Sequence, residues 1–460
     1  MYIKNLRIQD VKLLRDVEIS FVRDGKPRMW TVLLGENGLC KTTILQAIAL
    51  AASGPDRANQ LADVRSYPDR RNEKDHPSTI SALFGFGATC QKRRAYPGLD
   101  PDFKGTPDVA STLTLFNGLG VFLGNSSYLD QNSETIKYTN KFNSQQLYYP
   151  LQESRARGLP HWFVAGYGVT RSLPSPMSSE GLADPVLDRL APLFDRGRLI
   201  GTGFLELFES TEVTKRYIEE LLKAIISKDD KRKLLPKIAT ATLGRWNKAK
   251  KTRFLPESHQ FGFQSGKKSV NIPANWLSHG YQSMIAWVAD LVGQIFWDAG
   301  GPLSLEEMEG LVLIDELDIH LHPAWQLGLI GALKSTFPRI QFVATTHSPM
   351  LLPGLDQDEI LHIFQDEEGN VQIKMAGQSP SLMTGSEIYG SFFGIDQLYP
   401  IDVGADLQRY GYLSSDPSRT DEEDRELSTI LAKLRNAGIE PDWLPTPRKS
   451  QRGNGRRKHS

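Results

Sequence analysis

The 460-residue chain carries 54 Lys plus Arg against 54 Asp plus Glu; with zero formal net charge it has no broad electrostatic attraction for nucleic acid, so DNA contact is expected only through a local patch or a partner. Cysteine occurs only at Cys40 and Cys90, which excludes a disulfide framework, and no apolar run approaches the roughly 18 residues that span a bilayer. The chain opens on a strand pattern rather than a secretory leader, so no membrane association and a cytoplasmic location are expected, with a length suited to roughly two or three domains.

Residues 1–53 read as a first lobe. The β-branched run 31–34 (TVLL) leads into Gly35-Glu36-Asn37-Gly38-Leu39-Cys40-Lys41-Thr42-Thr43 and then the apolar stretch ILQAIALAA, a strand, phosphate loop and helix. An inward-turned set of N–H groups at a helix N-terminus holds phosphate, a lysine reaches the β/γ-phosphates and a hydroxyl ligates Mg²⁺. Gly35, Asn37, Gly38, Cys40, Lys41, Thr42 and Thr43 are the candidate ATP-binding residues, with Thr42 also on the metal. The usual spacing G-x-x-x-x-G-K-[ST] carries glycine where this chain has Cys40. A Cβ there crowds the phosphates and is strained at positive φ, so ATP binding is expected to persist while hydrolysis is weak or lost, and the sequence leaves turnover open.

Residues 54–161 read as a loop- and strand-rich insertion with short strand-like runs at ISALFGFG and STLTLFNGLGVFLG, and 162–179 as a return strand to the core. Residues 180–256 read as a mainly helical insertion, a lid, in which VTKRYIEELLKAII has apolar positions at helical spacing. The basic residues of 231–254 read as a solvated helix face.

Residues 257–365 form the second lobe. Leu277-Ser278-His279-Gly280 precedes a helical run, placing Ser278 and Gly280 where hydroxyl, amide and dipole can meet an anion. Gly310-Leu311-Val312-Leu313-Ile314 reads as a buried parallel strand ending in Asp315 and Glu316, at the sheet edge where ligands bind. Asp315 is the expected metal holder and Glu316 the group that orients or deprotonates the attacking water. His320 and His322 follow, without the spacing of a transition-metal site. The next apolar strand, 340–345, ends in Thr346-His347-Ser348-Pro349, which places His347 to report the γ-phosphate.

Residues 366–445 read as a C-terminal extension, with LHIFQDEEGNVQIKM a hairpin that begins just before it and DEEDRELSTILAKLRNAG an amphipathic helix whose Asp421–Asp424 run is its charged start. No nuclease motif occurs, so any DNA cleavage is assigned to a partner. Residues 446–460 are basic and Pro/Gly/Ser-rich, expected to be disordered when free; docking on an acidic partner or phosphate backbone and simple solubilisation both fit.

With about 235 residues between Lys41 and Ser278, the split motifs resemble the ABC-type ATPase heads of the Rad50, RecF and OLD group, an α/β P-loop NTPase sheet with an inserted helical lid. Segments MYIKNLRIQDVKLLRDVEISF, WFVAGYGVTRSL, RLAPLFDRGRLI and LSHGYQSMIAWVADL resemble, more closely, the PtuA-type ATPase subunits of bacterial Septu antiphage systems. That resemblance implies a head-to-head dimer in which Ser278 and Gly280 face the partner's γ-phosphate and Asp318 lies in a loop across the interface. It also implies an HNH endonuclease partner of PtuB type, DNA contact through the complex, and ATP with Mg²⁺ as cofactors. His279 stands where relatives often carry Asp. Arg171 falls where relatives have a polar residue near the nucleotide, although a surface arginine fits the sequence nearly as well. The alternative from another class is an active repair or recombination ATPase of RecF type, working without a nuclease.

Overall fold

The computed structural model describes residues 1–71, 76–100, 102–116, 120–136, 149–157, 159, 162–171, 185–194, 239–242, 260–265, 268–273, 276, 278–299, 309–395, 401–440 and 445–447. Most of the expected lid at 180–256, including VTKRYIEELLKAII and the basic residues of 231–254, lies outside the described residues, as does the tail from residue 448. Two compact units, Met1–Leu382 and Met383–Ser460, divide the chain.

The first unit begins with β1 (Tyr2–Val11) and β2 (Leu14–Ser20), an antiparallel hairpin whose alternating burial shows one face turned to the core. The short pair β3 (Val22–Arg23) and β4 (Lys26–Pro27) leads to β5 (Trp30–Gly35), buried along its length except at Gly35. Next come α1 (Lys41–Ser53), α2 (Pro55–Leu61), β6 (Ser78–Gly85), α3 (Ala88–Arg93), β7 (Asp108–Leu115), β8 (Phe122–Leu129) and α4 (Pro150–Ala156). The expected insertion 54–161 supplies β6, β7 and β8, which add to β1 in one antiparallel sheet of order β2-β1-β6-β7-β8. It is therefore part of the first lobe: its strands alternate polar and apolar residues because only one face is buried.

After these come β9 (Val164–Tyr167), α5 (Pro185–Phe194), the antiparallel strands β10 (Ala239–Thr242), β11 (Gln260–Ser265) and β12 (Lys268–Pro273), and α6 (His279–Ala299). Next are β13 (Gly310–Ile314), α7 (Pro323–Thr336), β14 (Ile340–Thr346), β15 (Ile360–Gln365) and β16 (Val371–Met375). The central sheet has the order β16-β15-β5-β14-β13-β9. It is parallel from β15 through β9, with β16 antiparallel at its edge. The β15–β16 hairpin carries the core past residue 365, so the compact unit ends at Leu382. Both strands that bracket β5 enter far downstream, so the sheet unites the two halves of the split motif.

Helix α1 is apolar nearly all round and buried, and its Ile44, Leu45 and Ile48 share one core with Ile3, Leu6 and Ile8 of β1 and Leu311 and Val343 of the central sheet. The buried Gln341 ties the sheets together: its side-chain amide donates to the Ile3 carbonyl at 3.0 Å and the Arg28 carbonyl at 2.9 Å, and its oxygen accepts from the Ile3 N–H at 2.7 Å. The β5, β9, β13 and β14 ends that follow lie at one carboxyl edge, where open α/β sheets bind ligands.

The second unit contains α8 (Gly385–Phe393), α9 (Ile401–Ser415) and α10 (Asp421–Asn436). The first turn of α10 holds Asp421, Glu422, Glu423 and Asp424, capped by Thr420 and Glu423 in a reciprocal box. Tyr410, Leu413, Leu427, Ile430 and Leu434 form its apolar core.

Candidate nucleotide site

A cleft of about 490 Å³ lies at the carboxyl edge, lined among others by Asn37, Gly38, Cys40, Lys41, Thr42, Thr43, Asp315, Glu316 and His347. Gly38 has φ 86° and open space where a Cβ would project, while Cys40 has φ 61° and ψ 20°, a left-handed conformation at the N-cap of α1. The thiol makes no capping hydrogen bond, so the strain that a side chain brings there is uncompensated. Gly35 does not line the cleft. A Cβ there would come 2.4 Å from the Ile363 carbonyl oxygen, so glycine is required for β5 to pack on β15.

The Lys41 ammonium folds onto its own loop, donating to the carbonyls of Gly35 at 2.8 Å and Glu36 at 2.7 Å. Burial pushes its pKa below the ordinary lysine value, and Asp315, Glu316 and Glu36 oppose that shift. One residue on, the Thr42 hydroxyl donates to Asp315 Oδ2 at 2.8 Å. The other Asp315 oxygen accepts from the Thr345 hydroxyl at 2.7 Å. A hydroxyl and a carboxylate paired beside a phosphate loop are the hard oxygen donors that Mg²⁺ takes, and the cation keeps waters for its remaining positions. The residues present fit the group: Thr42 and Asp315 would hold Mg²⁺, with Lys41 and the Asn37–Thr43 loop around the phosphates. Among the described residues no cluster of three His, Cys, Asp or Glu could hold a metal ion.

Glu316 follows β13 with φ 48°. Its N–H donates to the Thr345 hydroxyl at 2.7 Å, and the Leu317 N–H to the Thr345 carbonyl at 2.9 Å. His347 lies just past β14; burial first, then the Lys41 cation, pull its pKa below the ordinary histidine value against Glu316, Asp318 and Asp315. Its imidazole is therefore neutral at pH 7 and can accept or donate one hydrogen bond at the cleft.

Besides Gly35, the predicted residues Ser278, Gly280, Asp318 and Arg171 lie elsewhere. Ser278 is exposed and Gly280 buried at the start of α6, and neither lines the cleft. A Cβ on Gly280 would meet the His320 carbonyl oxygen at 2.5 Å, so α6 begins against the loop after β13. Asp318 in that loop accepts a hydrogen bond from the Thr346 hydroxyl. Arg171 is neither on the surface nor on the cleft. It is 4% exposed and donates to the backbone carbonyls of Asp315 and Glu316.

Sequence reasoning missed Lys12 and Leu13, which line the cleft from the β1–β2 turn. The Lys12 ammonium donates to the Thr43 hydroxyl at 3.3 Å and stands 4.9 Å from the Tyr67 ring centroid. No local signal marks that turn, since its position depends on the pairing of β1 with β2 and of β1 with β6.

Residues 210–352 match a family described as "AAA domain, putative AbiEii toxin, Type IV TA system". The chain is 27% identical to the Septu protein PtuA of Bacillus mycoides (strain KBAB4) over 94% of its own length and 50% of that protein. It is 35% identical to PtuA of Bacillus thuringiensis over 26% of this chain and 32% of that one. The retron Vc95 probable ATPase of Vibrio cholerae serotype O1 biovar El Tor is 25% identical over 78% of this chain and 72% of its own. The chain thus spans half or less of the PtuA proteins it matches. Among solved structures, an Smc head bound to the C-winged helix domain of ScpA aligns at 15% identity and TM-score 0.45, covering 83% of this chain and 99% of that one. No helix among the described residues is long and apolar enough to cross a membrane. The parallel sheet with a phosphate loop at its carboxyl edge has the fold of a P-loop ATPase head, and along nearly its whole length the chain is similar to the Septu protein PtuA and, over most of it, to a retron ATPase.

Proposed function

We propose that the chain is the ATP–Mg²⁺-binding regulatory subunit of a bacterial antiphage complex, a head-to-head dimer that assembles with an HNH endonuclease and restrains it according to nucleotide state. The observation that carries the nucleotide reading is the Thr42–Asp315 pair, which joins the phosphate loop to an acid 273 positions downstream in sequence, inside one cleft with Lys41, Glu316 and His347. Bound Mg²⁺ supplies charge neutralisation at the phosphates. Glu316 orients the attacking water, and the neutral His347 hydrogen-bonds the γ-phosphate oxygens. Ser278 and Gly280 serve the partner subunit's nucleotide, which accords with their position away from their own cleft.

The left-handed Cys40 supports binding with slow turnover. A ligand that distinguishes open from closed dimers shifts their equilibrium without being cleaved, so ATP depletion would release the nuclease, with DNA reached through the complex. The test is equilibrium binding of ATP with and without Mg²⁺, beside phosphate release, for the wild type, Cys40→Gly and Glu316→Gln. Co-purification of the HNH subunit at saturating and depleted ATP then reads the partnership. Failure of Mg²⁺-dependent ATP binding removes the nucleotide reading; nuclease capture and release that ignore ATP remove the restraint.

A further inference from the structure

We infer that Arg171 is the positioning residue for Glu316, its guanidinium holding the Asp315–Glu316 backbone so that the Glu316 carboxylate faces the cleft. The role of Glu316 rests on the proposed ATP chemistry, whereas the clamp is a property of the fold alone.

Glu316 occupies a left-handed conformation, φ 48°, that an L-residue leaves unless its surroundings hold it. It is held from both sides. On the amide side its N–H donates to the Thr345 hydroxyl at 2.7 Å, and that hydroxyl donates onward to Asp315 Oδ1 at 2.7 Å. On the carbonyl side Arg171 Nη2 donates to the Glu316 oxygen, while Nη1 donates to the Asp315 oxygen at 3.2 Å. Carbonyls of consecutive residues need a fork of fixed geometry; guanidinium provides one and the point charge of lysine does not.

The arginine is itself anchored. Asp315 N–H donates to the Tyr167 carbonyl at 2.8 Å, at the strand end from which the Arg171 loop departs. Gly168 follows, where a Cβ would come 2.2 Å from the Pro192 carbonyl oxygen, so the loop is pressed against α5. The Tyr167 hydroxyl donates to Asp290 of α6 at 2.9 Å. Burial lowers the Arg171 pKa to about 10, with Asp315, Asp318 and Glu316 opposing, so the group stays charged at neutral pH. Among the described residues its Nε has no hydrogen-bond partner. A buried cation with an unpaired N–H is a poor space filler compared with an apolar side chain, which favours the two carbonyl contacts as its purpose.

The test uses the full chain with Arg171→Met, Arg171→Lys and, on the opposite side of the clamp, Thr345→Val. Amide hydrogen exchange across residues 312–320 is the direct readout, beside affinity for a fluorescent ATP analogue with Mg²⁺ and single-turnover phosphate release. Arg171→Met is expected to speed exchange at the Glu316 and Leu317 amides, lower the chemical rate by about tenfold or more and leave affinity within about threefold. Arg171→Lys should fall between it and the wild type, and Thr345→Val should open the same amides. If Arg171→Met fails to fold, Arg171→Lys and Thr345→Val decide. Unchanged exchange at both amides overturns the clamp, as does a rate loss matched by an equal affinity loss. A wild type that binds no nucleotide sinks the ATP reading instead, and the exchange data still decide the clamp.

Discussion

Replacing Cys40 separates two effects that the sequence alone merges, backbone strain and sulfur bulk. Cys40 sits at φ 61° without a capping bond, a conformation that an L-residue adopts at about 1–2 kcal/mol and glycine adopts freely. Cys40→Ala removes the sulfur and keeps the strain, whereas Cys40→Gly removes both. Glycine gives back about 0.4–1 kcal/mol through the freedom of the unfolded chain, so Cys40→Gly should exceed Cys40→Ala in stability by about 0.5–1 kcal/mol, or roughly two- to fivefold in the folding equilibrium. Urea unfolding followed by tryptophan emission reads the difference, because Trp30, Trp162 and Trp287 are buried in the same unit. For a slope of about 3 kcal/mol per molar the midpoints should differ by roughly 0.2–0.3 M. Phosphate release on the same proteins is expected to rise most in Cys40→Gly. Equal stability of the two variants would refute the strain argument, and equal gains in turnover would place the whole effect in the sulfur.

Glu316→Gln should retain Mg²⁺-dependent ATP binding and lower any hydrolysis by about 10²-fold or more, measured in single turnover. Asp315→Asn should weaken ATP at saturating Mg²⁺ by about tenfold and leave affinity in EDTA nearly unchanged, as titration calorimetry would show; an equal loss under both conditions argues against a metal role. Gly280→Ala forces a Cβ toward the His320 carbonyl oxygen, 2.5 Å away, and should abolish ATP-dependent dimerisation in light scattering while sparing ATP binding to the monomer. His347 titrates below its ordinary value of 6.5 in the folded protein, so the unfolded chain takes up the proton first. Its contribution to stability is therefore full above about pH 6.5 and is lost as pH falls through the lower folded value. His347→Asn should flatten the decline in urea midpoint between pH 7 and pH 5.5; His362, also lowered by burial, leaves a residual slope in the same direction.

The parts of the site legible in sequence were those written contiguously. An aliphatic run before Gly35 and another before Asp315 announce buried parallel strands, and their carboxyl ends carry Lys41, Thr42 and Glu316 into one cleft because β5 and β13 flank β14 in register. The parts that stayed hidden depend on pairing across distance. Strand β6 reads in sequence as a strand-like run inside an insertion; that it joins the first lobe follows only from its pairing with β1, which sets Ile80 opposite Ile8. Lys12 reaches the cleft only because that pairing fixes the turn before Leu14. Arg171 shows the same limit most sharply. Its charge suggests solvent or phosphate, yet its partners are two main-chain carbonyls, groups present at every position of any sequence and therefore invisible to a search for complementary side chains.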